Sequence, residues 1–145
     1  MLKRLGSRVP IGVCMCVLAH ATGAHAVDQQ DRVQRVVDDL KSRLAIAQTV
    51  NVSIVRANPK LFSVVPAEHQ SATFLLSVEE DFAQGLTDAE LRAAVAHELG
   101  HVWIFTHFPY LQTEELANDI AARVVSRDSL APLYEKVWKK VGSAD

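Results

Sequence analysis

The segment His97-Glu98-Leu99-Gly100-His101 constrains this chain more than any other, because it sets a carboxylate on a helix face that must be buried. Residues 87–105 read as one helix. It opens at Thr87-Asp88-Ala89-Glu90, a capping box in which the hydroxyl and the glutamate each satisfy one free amide. Leu91, Ala94, Val95, Val102 and Phe105 then define a buried stripe at helical spacing, and Glu98 falls within it. An unpaired carboxylate there would cost several kcal/mol. No Lys or Arg lies between Arg92 and Arg123, so the compensating cation has to come from outside the helix.

A metal ion meets that need. One turn apart, His97 and His101 project from the same side, and two imidazoles can reach one tetrahedral ion. Zinc is the expected metal. Glu98 beside them can take a proton from water and pass it to a leaving amine, while the metal polarises a carbonyl. The expected chemistry is therefore zinc-dependent hydrolysis, with peptide bonds as the first substrate class. A non-enzymatic zinc-stabilised binding module, or a zinc hydrolase acting on another amide, is the alternative. A catalytic site needs a third protein ligand from the segment after the helix, where His107, Glu114 and Glu115 are available. His107 stands where a metzincin would carry its third histidine. Ile104, however, occupies the glycine position of that motif, and no methionine follows Met15 to form a Met-turn.

The rest of the chain predicts a small single-domain α+β fold, a short antiparallel sheet with helices packed over it. Val33, Val36, Val37, Leu40 and Leu44 give an amphipathic helix over 28–48. Val50, Val52 and Ile54 alternate with polar residues, as do Ala72, Phe74 and Leu76, which is the period of half-buried strands. Leu61–Val65 is expected as a third strand, and Pro66 to Gln70 as a hairpin connection. Pro109 ends the metal-binding helix region, and Thr113 begins a third helix over about 114–127. A last helix carries Leu130, Leu133, Tyr134, Val137, Trp138 and Val141, read as a core-packing stripe.

Glu114-Glu115-Leu116-Ala117-Asn118-Asp119-Ile120-Ala121-Ala122 resembles the E-x-E-A-[DN]-x-x-A helix of gluzincin peptidases. Such helices occur in the CAAX-prenyl-protease and heat-shock-protease family and in ImmA/IrrE-type peptidases. The likeness extends upstream through Leu86–Ala96 and covers about Val50 to Val125. It implies a minimal gluzincin-type zinc metallopeptidase in which Glu114 is the third zinc ligand and Asn118 supports the ligands one turn on. Leu116 stands where those families carry a second acidic residue, and a register on Glu115 with Asp119 keeps a similar spacing. The resemblance further implies that Ser71–Ser77, through Ser71, Thr73 and Leu75, is an edge strand pairing with extended substrate. The transition-state hydrogen-bond donor stays open among Tyr110, His107 and Arg123.

The first 26 residues read as a signal peptide. Lys3, Arg4 and Arg8 precede the apolar run Ile11–Ala21, and Ala24-His25-Ala26 is a small-x-small cleavage site. The expected mature domain is 27–145, exported to the periplasm or secreted, with no stable membrane anchor after signal removal. Both cysteines lie in the leader, which leaves no disulfide. Loss of the leader leaves 12 Lys and Arg against 17 Asp and Glu, a balance that argues against nucleic acid as a partner. Peptides or unfolded proteins are the expected substrates.

Overall fold

One helix organises the domain, and the other elements pack around it. In the computed structural model, residues 21–142 are described, with side chains from residue 27 onward. The leader reading falls largely outside these described residues. Helix α1 (Ala21–Arg43) leads into strand β1 (Thr49–Val55), followed by β2 (Phe62–Pro66) and β3 (Thr73–Glu79). Then come a short α2 (Glu80–Gln84), the central α3 (Asp88–Thr106), α4 (Glu114–Ala121) and α5 (Arg127–Gly142). Among the described residues no helix is long and apolar enough to cross a membrane.

Helix α3 begins as its sequence dictates. Thr87 accepts from the Glu90 amide, and the Glu90 carboxylate accepts from the Thr87 amide at 2.8 Å. Leu91, Ala93, Val95, Ala96, Leu99 and Val102 are fully buried, because α1, α4, α5 and β2 surround the helix. Phe105, expected in the buried stripe, is instead 60% exposed at the cleft mouth. Val33, Val37 and Leu40 of α1 are completely buried beneath the sheet and α3. Polar ties fix the angle of α1: Arg32 reaches Asp88 at 2.7 Å, and Arg92 of α3 reaches Asp39 at 2.5 Å. The expected helix 28–48 stops at Arg43, because Ala45 turns into the left-handed region (φ 55°) and the Ile46 amide closes on the Lys41 carbonyl.

The sheet corrects two expectations. Its order is β1-β3-β2, with β3 antiparallel to β2 but parallel to β1, so it is mixed rather than antiparallel. Strand β3 is therefore central and spends both edges on its neighbours. The edge-strand role expected of Thr73 and Leu75 is not available to it, and Ser71 lies in the turn before the strand. Phe74, Leu76 and Val78 explain the placement, since the strand with the most large buried side chains takes the middle. The outer edge of β1 is covered: Gln34 donates to the Val50 carbonyl and accepts from the Val52 amide, both at 3.0 Å, as a neighbouring strand would.

The last two helices also depart from expectation. Helix α4 ends at Ala121, six residues early, and hands over to α5 through a turn at residues 122–126. On α5 only Leu130 and Leu133 are buried, while Trp138 is 82% exposed and Tyr134 turns toward the site formed by α3 and α4. The short α2 was not read from sequence; Glu79 caps it by accepting from the Phe82 amide at 2.6 Å.

Helix α5 is tied down by Lys136, which donates to Glu90 at 2.7 Å and to the Gly85 carbonyl at 3.0 Å. That ammonium holds the Glu90 carboxyl below its ordinary value of 4.5, against the opposing effect of burial. A carboxyl whose folded pKa is depressed contributes stability above its unfolded pKa and loses it as pH falls through the folded value. Glu90→Ala should destabilise the fold by about 1–2 kcal/mol through loss of the cap and the ion pair. Glu90→Gln, which keeps the cap, should cost less. Chemical denaturation between neutral pH and the carboxylate range checks both. The wild type should lose more stability on acidification than Glu90→Gln does.

Candidate metal centre

The close approach of α3 and α4 builds the site. At Gly100 a Cβ would lie 2.5 Å from the Ala117 carbonyl oxygen and 3.0 Å from the Ala117 Cα, so the helices touch backbone to backbone there. Ala117 is completely buried at this contact. The consequence is reach: a short glutamate on the first turn of α4 can meet two histidines on α3. Thr113 starts that turn by accepting from the Leu116 amide at 3.1 Å.

The Glu114 carboxylate lies 3.1 Å from His97 Nε2 and 3.5 Å from His101 Nε2, and the two Nε2 atoms are 3.2 Å apart. The far nitrogens are held from behind. His97 Nδ1 donates to Asn118 Oδ1 at 2.8 Å, and His101 Nδ1 donates to Gln112 Oε1 at 3.0 Å. With protons on both Nδ1 atoms, both Nε2 atoms are bare acceptors facing a carboxylate. Such a cluster is a donor set that could hold a cation. Zinc bonds of about 2.0–2.1 Å at tetrahedral angles put ligand atoms about 3.3 Å apart, which matches these separations. His97, His101 and Glu114 are the one such group of metal-capable side chains found among the described residues, and they fit the ion.

Of the carboxylates offered by the sequence, Glu114 meets the imidazoles. Glu115, next to it, faces solvent and is outside the cluster. His107 is also excluded, because its ring stacks on Trp103 at 3.8 Å and its Nδ1 donates to the Trp103 carbonyl at 2.7 Å. The Arg123 guanidinium lies over the Trp103 ring at 5.0 Å, and the Tyr110 ring is tilted against it at 5.6 Å between centroids. All three gather around Trp103, and none of them lines the cleft beside Glu98.

Sequence reasoning missed Gln112 and Tyr134. The Tyr134 hydroxyl donates a very short hydrogen bond to Asn118 Oδ1 and lies 3.2 Å from His97 Nδ1. Burial raises its pKa, opposed by the bond to Asn118. Its spacing from Leu130 and Val137 read as core, and nothing local distinguished it. Gln112 carried no signal beyond its position before the Thr113 cap.

A cleft of about 470 Å³ runs between β2 and α3. Ala94, His97, Glu98, His101, Val102 and Phe105 form its floor along α3, and Leu61 to Pro66 form one wall. Glu98 is 9% exposed in that floor. Burial raises its carboxyl above the ordinary carboxylate range, while His97, His101 and the Val64 amide oppose the rise. Glu98 is thus set beside the metal group without belonging to it.

No protein-family model matches the chain. An uncharacterised protein of Aquifex aeolicus (strain VF5) is 27% identical over 110 residues, which span 76% of this chain and 91% of that protein. Among solved structures, the metallopeptidase zymogen abylysin of Pyrococcus abyssi is similar with a TM-score of 0.54 at 15% identity. The match covers 76% of this chain and 95% of that one. At that identity the likeness establishes a metallopeptidase-like fold.

Gly100→Ala should displace α4 by pressing a methyl against the Ala117 backbone, carrying Glu114 and Asn118 away from the histidines. Stability should fall by about 1–3 kcal/mol, the usual range for overpacking. Zinc affinity, measured by chelator competition, should fall at least about tenfold. Glu115→Ala should leave that affinity unchanged.

Proposed function

We propose that this domain is a minimal zinc-dependent peptidase using His97, His101 and Glu114 to hold the metal and Glu98 as general base. One observation carries the reading: a buried carboxylate sits beside a three-ligand cluster and opens onto a cleft. A structural zinc site is normally closed by four protein ligands and has no use for a base. Here the cluster offers three among the described residues. When bound, zinc would supply a Lewis acid that polarises the scissile carbonyl and acidifies water.

The remaining work falls to the chain's own groups. Glu98 accepts the proton of the attacking water at a carboxylate oxygen and delivers it to the leaving nitrogen, a role suited to a carboxyl whose pKa is raised by burial. Asn118 keeps the Nδ1 proton of His97 in place, so its Nε2 stays available.

Strand β2, rather than β3, is suited to align an extended substrate. Ala67 donates to the Thr73 carbonyl and Glu79 donates to the Leu61 carbonyl, so the odd-numbered residues of β2 face β3. Phe62, Val64 and Pro66 then turn their carbonyls to the open edge, the Phe62 amide being already bonded to the Lys60 carbonyl at 2.7 Å. Pro66 fits there because it has no amide to offer the ladder. The opposite edge of the sheet is already occupied by Gln34. A peptide added to β2 as a fourth strand would lie over Glu98 and meet the Val64 carbonyl, while the Val64 amide is already turned to the Glu98 carboxylate. Small peptides and unfolded chains suit so shallow a domain. The leader read in residues 1–26 would send it to the periplasm or outside the cell.

Glu98→Gln should retain zinc and abolish peptide hydrolysis, because the amide fills the same space but takes no proton. A loss of at least about a hundredfold in kcat, in a peptide-library assay on zinc-loaded protein, is the expected result. Equal hydrolysis by the variant would remove Glu98 from the reaction.

A further inference from the structure

Gln112 is exposed and lies outside every motif, yet both ends of its side chain are committed to one residue. Its Nε2 donates to the His101 backbone carbonyl at 3.0 Å, while its Oε1 accepts from His101 Nδ1 at 3.0 Å. The two contacts settle each other. A carbonyl can only accept, so it fixes which end of the amide is nitrogen, and the oxygen that remains requires a proton on Nδ1. His101 Nε2 is then bare, 3.2 Å from His97 Nε2 and 3.5 Å from Glu114.

We propose that Gln112 is a positioning residue that locks His101 in its Nδ1-protonated form and presets it as a metal ligand. The proposal rests on the metal centre argued above. The two histidines are held by different means: His97 by Asn118, on the same helix as Glu114, and His101 by a residue of the connecting segment. That segment is braced where it leaves α3. The Tyr110 ring lies 5.6 Å from Trp103, Trp103 stacks on His107, and the Tyr110 amide donates to the His107 carbonyl at 3.2 Å. The brace carries Gln112 back over the last turns of α3, two residues before Glu114. The segment therefore fixes one ligand as it delivers the next.

Three proteins test this: wild type, Gln112→Leu, which loses both contacts, and Gln112→Glu, which keeps an acceptor for Nδ1. Zinc affinity is measured by chelator competition. The His101 tautomer of metal-free protein is read by long-range nitrogen–proton NMR at a pH where the imidazoles are neutral, and metal-free thermal unfolding is recorded alongside. Wild type should show the Nδ1-protonated signature. Gln112→Leu should mix the tautomers and bind zinc about 10–100-fold more weakly, with metal-free unfolding little changed. Gln112→Glu should recover the tautomer and most of the affinity. Wild-type affinity and tautomer in Gln112→Leu would overturn the proposal. So would equal losses in both variants that track a lower metal-free unfolding temperature, since that marks a merely structural role. Wild type that takes up no zinc would overturn the metal centre itself, and the tautomer spectra would then decide on their own whether Gln112 sets the proton.

Discussion

The backbone contact between Gly100 and Ala117 is the constraint on which the site depends. Two helices that touch without intervening side chains sit closer than ordinary packing allows, and at that distance a glutamate on α4 reaches histidines on α3. Moving α4 outward by the width of a methyl group would separate the cluster. The same approach brings Asn118 behind His97, so one contact positions both a ligand and its support. Ala117 and Ala121, both completely buried, extend the small-residue seam along α4.

Around this seam the fold concentrates acceptors that repel each other. Two bare imidazole nitrogens and a carboxylate converge, and a second carboxylate, Glu98, is buried beside them. Asn118 and Gln112 stand behind the two imidazoles, so the hydrogen bonds they make leave the converging face of the cluster open. A divalent cation resolves the conflict at once. In the proposed site metal binding and folding would be linked, and an ion would stabilise the native state in proportion to its affinity. The sheet serves the same centre, since Gln34 covers one edge while β2 leaves the other facing the cleft.

Much of this was legible in the sequence because it rests on local rules. The Thr87–Glu90 box, the one-turn spacing of His97 and His101, and the burial of Glu98 all follow from helix periodicity. The helix carrying Glu114 was marked by its Thr113 cap and its small residues. What escaped depends on distant parts of the chain. Strand order is set by which strand buries most, so the alternation of residues 71–77 could not show that β3 is central. Tyr134 is 37 residues from His97, and its helix presented an apolar stripe that masked a polar role. Gln112 acts through a loop path that no periodicity describes.

In the proposed function, His97, His101 and Glu114 form an open zinc site. Zinc content by elemental analysis, with X-ray absorption at the zinc edge on the same purified, chelator-free protein, tests it most directly. One zinc per chain is expected, bound by two imidazole nitrogens and a Glu114 carboxylate, with the remaining position held by solvent. A zinc content near zero, or a closed shell with a fourth protein ligand, would contradict it.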